Sequence, residues 1–228
     1  MSIEWACFVS AGEPVLAAEG AAAFVCDQSA LNLEEVAGVV LPAEGETRAV
    51  ALLEAGATRV FVGEAALADA GVVARLAERF GSSRVGVYMP ARRMAVRWSF
   101  ETVSNADFKV VTPSVCEPCW EILRSDGSAS GTRVHWWVQQ MIERGASAAL
   151  LRVDLHDDAD LNLCAGLVEE LGERLWLGPL THNQPALSDW VAYGKLTRIM
   201  LPPALFVRRE ELLPPSTEPQ PASNQEAA

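Results

Sequence analysis

The sequence lacks any apolar run long enough to cross a bilayer. Spanning takes roughly 18 to 20 consecutive apolar residues, and Glu, Arg or Asp interrupts every candidate stretch. That excludes the membrane as a partner and predicts a soluble chain. Basic charge is also scarce: 18 Lys and Arg stand against 30 Asp and Glu, a formal charge of -12. A surface that tracks phosphates needs clustered Lys and Arg, so nucleic acid is excluded. The densest basic group, Arg92, Arg93 and Arg97, reads as a solvated hairpin. Glu4, Glu13 and Glu19 occupy the start of the chain with no basic flank before an apolar core, so no secretory signal is read and a cytoplasmic location is expected. The five cysteines are an odd number, which fits reduced thiols better than a disulfide framework. Cys116 and Cys119 have CxxC spacing, but zinc normally takes two such pairs and the sequence has no second one. No metal is assigned, and the pair reads as small packing residues in a loop.

An apolar fraction of 50% supplies an ample core. Short β-rich runs alternate with helical patterns, as in a parallel sheet covered by helices. The strands read as Glu4–Val9, Ala22–Cys26, Gly38–Leu41, Arg59–Gly63, Arg84–Met89, Ala148–Asp154, Leu175–Leu177 and Thr197–Leu201. Eight strands suggest a closed barrel. Helices are expected over Glu46–Ala55, Ala65–Phe80, Thr132–Arg144, Leu161–Leu171 and Pro185–Tyr193, each followed at once or nearly so by a stopping glycine. Before the third strand there is too little chain for full crossover helices, so that quarter is expected to be thin or distorted. Between Met89 and Thr132 the pattern predicts a β-hairpin excursion and a loop above the sheet. The tail from Pro214, rich in Pro, Gln and Glu, predicts disorder after a domain ending at Leu213.

Leu52–Leu67 also lies over Val191–Phe206 without a gap. Each reads as a helix end, a turn, Thr-Arg, an apolar run and a new helix start. A repeated unit of this kind implies two related halves.

The run LLEAGATRVFVGEAALADAGVVARLAERFGSSRVGVY resembles the middle of the histidine-biosynthesis barrels, the ribotide isomerase and the cyclase subunit of imidazole glycerol phosphate synthase. In that family a helix ending Glu-Ala-Gly-Ala leads to a strand, a Gly with a small hydroxyl residue, a helix, and a Phe-Gly before the fifth strand. Arg59 to Gly63, Leu67, Phe80 and Gly81 fall on this pattern, and ERGASAALLRVDLHDDADLNLCAGLVEEL is similar to the sixth unit. The resemblance implies an α/β, TIM-type (β/α)8 barrel, parallel, with a distorted or shortened first quarter and the excursion after the fifth strand.

The resemblance weakens where the family does its chemistry. The aspartate that ends the family's first strand falls on Phe8, and the one on the fifth strand falls on Pro90; neither side chain can move a proton. Asp158 matches the carboxylate after the sixth strand. Of the phosphate-binding turns Gly63 remains, but Glu64 follows where a hydroxyl residue is usual and would repel phosphate. The other turns read Leu41-Pro42-Ala43, Gly178-Pro179-Leu180-Thr181 and Pro202-Pro203. Proline has no N–H to donate. The two-phosphate ribotide is therefore not expected as ligand.

The sharpest polar group is Asp154, His156, Asp157, Asp158 and Asp160, where the sixth strand ends. A histidine beside carboxylates can act as a tuned base, and oxygen ligands can hold a divalent cation. An acidic loop with Asp160 as helix N-cap would carry the same residues. Thr181, His182 and Asn183 follow the seventh strand and face the same mouth if the barrel closes. His135, inside a helix, reads as packing. Trp98, Trp120, Trp136 and Trp137 surround the excursion as a pocket for a planar ligand such as a pterin or flavin, a satellite core, or an interface.

Two functions follow from these features. In one, Asp158, His156 and His182 carry out acid–base chemistry of isomerase or lyase type on a small molecule, with Gly63, Glu64, Asp154, Thr181 and Asn183 binding it; cofactor or one-carbon metabolism enters by analogy alone. In the other, a non-catalytic barrel serves a protein partner through the Trp-rich excursion. The sequence names no cofactor, and self-association into a homo-oligomer stays open.

Overall fold

The computed structural model describes residues 3–14, 21–29, 31–95, 98–99, 112–113 and 117–214. Its strands are β1 (Glu4–Val9), β2 (Ala22–Cys26), β3 (Gly38–Leu41), β4 (Val60–Val62), β5 (Val85–Arg93), β6 (Ala149–Arg152), β7 (Leu175–Gly178) and β8 (Arg198–Leu201). These eight pair in parallel and in chain order. Cys7 lies opposite Leu201, so β8 returns to β1 and closes a TIM-type barrel. The runs are legible because both strand faces are buried, leaving almost no polar residue to interrupt them. Among the described residues no helix links β1 to β2 or β2 to β3, which gives the first quarter its thin wall. The tail expected to be disordered falls almost wholly outside the described residues.

Alternation along the strands separates two cores. One lies between the sheet and the helices α1 (Glu46–Glu54), α2 (Glu64–Ala68), α3 (Gly71–Phe80), α4 (Val134–Glu143), α5 (Asp158–Leu171), α6 (Leu187–Ala192), α7 (Pro203–Phe206) and α8 (Arg209–Leu212). The other fills the barrel and is strongly aromatic. Phe24 meets Phe61 and Trp176 edge-on at 5.2 and 5.3 Å, and Phe8 stacks on Tyr88 at 5.6 Å. Two glycines make room for Phe61: a Cβ on Gly38 or Gly86 would come within 2.5 Å of its ring. Arginines close the lower end, with Arg198 over the Trp176 ring and paired with Glu4 at 2.7 Å, and Arg59 over Phe61.

The half-barrel echo falls on equivalent parts of the ring. Leu52–Leu67 covers the end of α1, β4 and most of α2, and Val191–Phe206 covers the end of α6, β8 and α7. Arg59 and Arg198 occupy matching places in the two copies and perform the same closing role.

Two local details differ from the sequence reading. The helix expected over Ala65–Phe80 is two helices, because Asp69 is extended and its carboxylate accepts the Gly71 N–H at 2.9 Å. Nothing in the apolar periodicity marks that break. The segment after β5 is more ordered than a loop: β5 runs on to Arg93 and pairs antiparallel with Trp120–Leu123, which pairs in turn with Ala129–Arg133. Trp98–Ser99 also pairs with Thr112–Pro113, the hairpin expected there. Among the described residues no helix is long and apolar enough to cross a membrane.

Candidate ligand site at the barrel mouth

The C-terminal ends of the strands form the mouth, where chemistry sits in parallel barrels. The centre is plugged by Phe8 and Tyr88, and the Arg152 guanidinium lies 4.6 Å above the Phe8 ring. Arg152 is held there by the carbonyls of Pro179 and Leu180, at 3.0 and 2.6 Å. Burial raises the Tyr88 pKa, and the charge of Arg152 opposes that rise only in part.

The polar residues after β6 mostly hold the structure together. Asp154 accepts the N–H groups of Leu180, Thr181 and His182 at 2.9 to 3.0 Å and the Thr181 hydroxyl at 2.6 Å, fixing the turn after β7. Burial alone would raise its pKa, but these hydrogen bonds outweigh burial and the carboxyl titrates below the usual aspartate range. Asp157, rather than Asp160, is the N-cap of α5, accepting the Asp160 N–H at 3.1 Å. Asp160 is only 1% exposed. It receives Trp120 Nε1 at 2.7 Å, the His156 N–H at 2.9 Å and the Arg93 guanidinium at 2.6 Å.

Arg93 also pairs with Asp157 at 2.6 Å, and Arg92 pairs with Glu121 at 3.0 Å. This basic pair is partly exposed on a hairpin strand and also engaged with carboxylates, while Arg97 lies outside the described residues.

His156 and His182 come together, their ring centroids 6.5 Å apart, and both are exposed. Asp158 is the exposed first residue of α5, and Asn183 is exposed beyond β7. His135, read as packing, is instead exposed and bridges α4 to α5 through Glu170 at 3.0 Å. Trp120 and Trp137 are buried, Trp136 is 59% exposed, and the Trp98 side chain lies outside the described residues. Cys116 lies outside them as well, and the Cys119 thiol rests 3.8 Å from the Met94 sulfur. Among the described residues no three His, Cys, Asp or Glu side chains gather as a metal site.

A cavity of about 380 Å³ opens beside the plug. Its walls come from the strand ends (Pro42, Gly63, Tyr88, Pro90), the start of α2 (Glu64, Leu67), the hairpin (Ile122 to Ser125, Gly127), α4 (Trp137) and the turn after β7 (Leu180, Thr181). Gly63 is needed where it stands, since a Cβ would meet the Pro42 carbonyl at 2.8 Å. Glu64 reaches the hairpin, its Oε2 accepting the Ser125 N–H at 3.1 Å and the Ser125 hydroxyl.

Three residues singled out from the sequence, Gly63, Glu64 and Thr181, therefore share one cavity, while Asp158, His156, His182 and Asn183 are not among its lining residues. The sequence reading did not place Tyr88, Ile122 or Leu123 there, while Trp137 was one of four tryptophans weighed as lining a planar-ligand pocket, a satellite core or an interface. The apolar run of Trp120–Leu123 beside a Ser-Asp-Gly turn was the available signal for the hairpin. Neither the protein-family models nor the curated proteins gave a match to this chain.

Proposed function

We propose that this chain is a small-molecule-binding (β/α)8 barrel, a divergent relative of the histidine-biosynthesis barrels it resembles. Its ligand sits in the mouth cavity and is not a two-phosphate ribotide. The observation that carries this reading is the cavity itself: it lies at the C-terminal face, falls within the usual size range of ligand pockets, and combines an apolar lining with a few polar groups. Against phosphate stand the carboxylate of Glu64 and the prolines at positions 42, 179, 202 and 203, which remove backbone donors.

Within this reading Gly63, Glu64 and Thr181 bind the ligand. Asp154 supports the turn that carries Thr181, and Asn183 extends the same turn. His156 and His182, with Asp158 nearby in sequence, are the acid–base groups that isomerase or lyase type proton transfer on this face would use; they lie outside the cavity lining, so such chemistry needs a ligand that extends beyond the cavity towards them. One observation favours the second reading, a non-catalytic barrel serving a protein partner: Asp154, Asp157 and Asp160 are all engaged in holding the fold, and Phe8 fills the place of an acid.

The test is calorimetric unfolding of the wild type and of Leu123→Trp with fractionated small molecules from the host. A binder of the native state raises Tm by mass action. A fraction that raises Tm in the wild type only supports the small-molecule reading. If every fraction acts equally on both proteins or on neither, the partner reading stands instead.

A further inference from the structure

Resting on the mouth cavity as the ligand site, we infer that its ligand is a flat organic cation, such as an aryl amidinium, a protonated N-heterocycle or an aromatic ammonium, recognised by Glu64 between Tyr88 and Trp137. Three observations point the same way. Glu64 is the lining carboxylate of the cavity, and among the described residues it forms no salt bridge. Its two hydrogen bonds from Ser125 both arrive at Oε2, which orients the group and leaves Oε1 to accept from a ligand.

Among the described residues two arginines stand near the cavity, Arg124 in its lining and Arg152 over the plug, and both give hydrogen bonds to the protein's own carbonyls. Arg124 Nη1 donates to the Ala129 carbonyl at 2.6 Å, and Arg152 donates to the carbonyls of Pro179 and Leu180. Asp154, the neighbouring carboxylate, is filled by the turn after β7. Among the described residues Glu64 thus brings a carboxylate without an ion pair to a largely apolar wall, where a charge-assisted hydrogen bond is stronger than in water.

The rings supply the rest. Tyr88 and Trp137 both line the cavity, and aromatic faces attract cations through the ring quadrupole. The formal charge of -12 favours the approach of a positive ligand and disfavours an anion.

Isothermal titration calorimetry on the intact protein tests this with three probes of one shape: benzamidinium, benzamide and benzoate. The expected result is that benzamidinium binds at least about tenfold more tightly than benzamide, and benzoate least, as a hydrogen bond to a charged group implies. Glu64→Gln keeps an acceptor for Ser125 and should bring benzamidinium to within about twofold of benzamide. Leu123→Trp should abolish binding of all probes. If benzamidinium and benzamide bind equally to the wild type and Leu123→Trp abolishes both, the cation inference is overturned while the cavity reading survives. If none of the probes binds, or if Leu123→Trp changes nothing, both fall.

Discussion

Arg93 and Asp160 form an ion pair of 2.6 Å that ties the extended end of β5 to the first turn of α5. The carboxylate is buried and also receives Trp120 from the hairpin, so one side chain joins the excursion to the barrel wall. Through that joint the hairpin is held over the mouth, where Ile122 to Ser125 wall the cavity. Arg93→Met strands the Asp160 charge inside the protein. Breaking a buried pair in this way costs about 3 to 5 kcal/mol, and urea unfolding of the variant should show a loss of that size.

Acid should loosen the same face. Asp154 is held below the ordinary aspartate range by its hydrogen bonds acting against burial, and Asp157 is held low chiefly by Arg93. A depressed carboxyl means that the folded state binds fewer protons than the unfolded one. Its contribution is therefore complete above the unfolded aspartate pKa of about 3.9 and is lost as pH falls through the lower folded value. Tm measured from pH 5 to pH 2 should fall, and Asp154→Asn should make that fall shallower.

The barrel interior predicts a paired effect. Phe61 fills the space left by Gly38 and Gly86, so Gly86→Ala pushes a methyl into the Phe61 ring and towards the Ala148 carbonyl, 2.9 Å from the added atom. Overpacking of this kind costs about 1 to 3 kcal/mol. Phe61→Ala, which empties the core, should cost about 3 to 5 kcal/mol. Combining Gly86→Ala with Phe61→Leu should recover part of the loss, since the smaller side chain frees the room the methyl needs. Chemical denaturation of the single and double variants measures the coupling.

Thiol chemistry should be slow in the native protein. Burial pushes Cys7 and Cys26 up to about 11 and Cys164 up to about 12, which leaves little thiolate at neutral pH. With an Ellman-type reagent at pH 8, these three should react only after denaturation. The half-buried Cys119, whose pKa is raised less far, should react before them.

The barrel was legible because its strands are apolar on both faces and punctuated by glycines: β1, β2 and β3 fall on the residues expected for them. The break between α2 and α3 was not, since Asp69 and Ala70 sit in an unbroken helical pattern and the break depends on a hydrogen bond to Gly71. The second hairpin, Trp120–Leu123 with Ala129–Arg133, was read as loop for another reason. Trp120–Leu123 is a short strand with a charged residue, and Glu121 is buried only because Arg92 meets it.

At the mouth, the resemblance to the family's phosphate-binding turns singled out Gly63 and Glu64, and position after a strand end singled out Thr181. Charge pattern was a poor guide to role, because Asp154, Asp157 and Asp160 look like a site in sequence and are engaged by Thr181 and Arg93 in space. Tyr88 and Trp137 reach the cavity only through the closing of the barrel and the folding of the hairpin.

The most direct test of a ligand-holding mouth is native mass spectrometry of the full chain purified gently from its own host, beside Leu123→Trp prepared in the same way. The account predicts a small organic adduct on the wild type that is absent from the variant. A wild type that carries no small adduct and instead retains a protein partner, equally in both preparations, would contradict it.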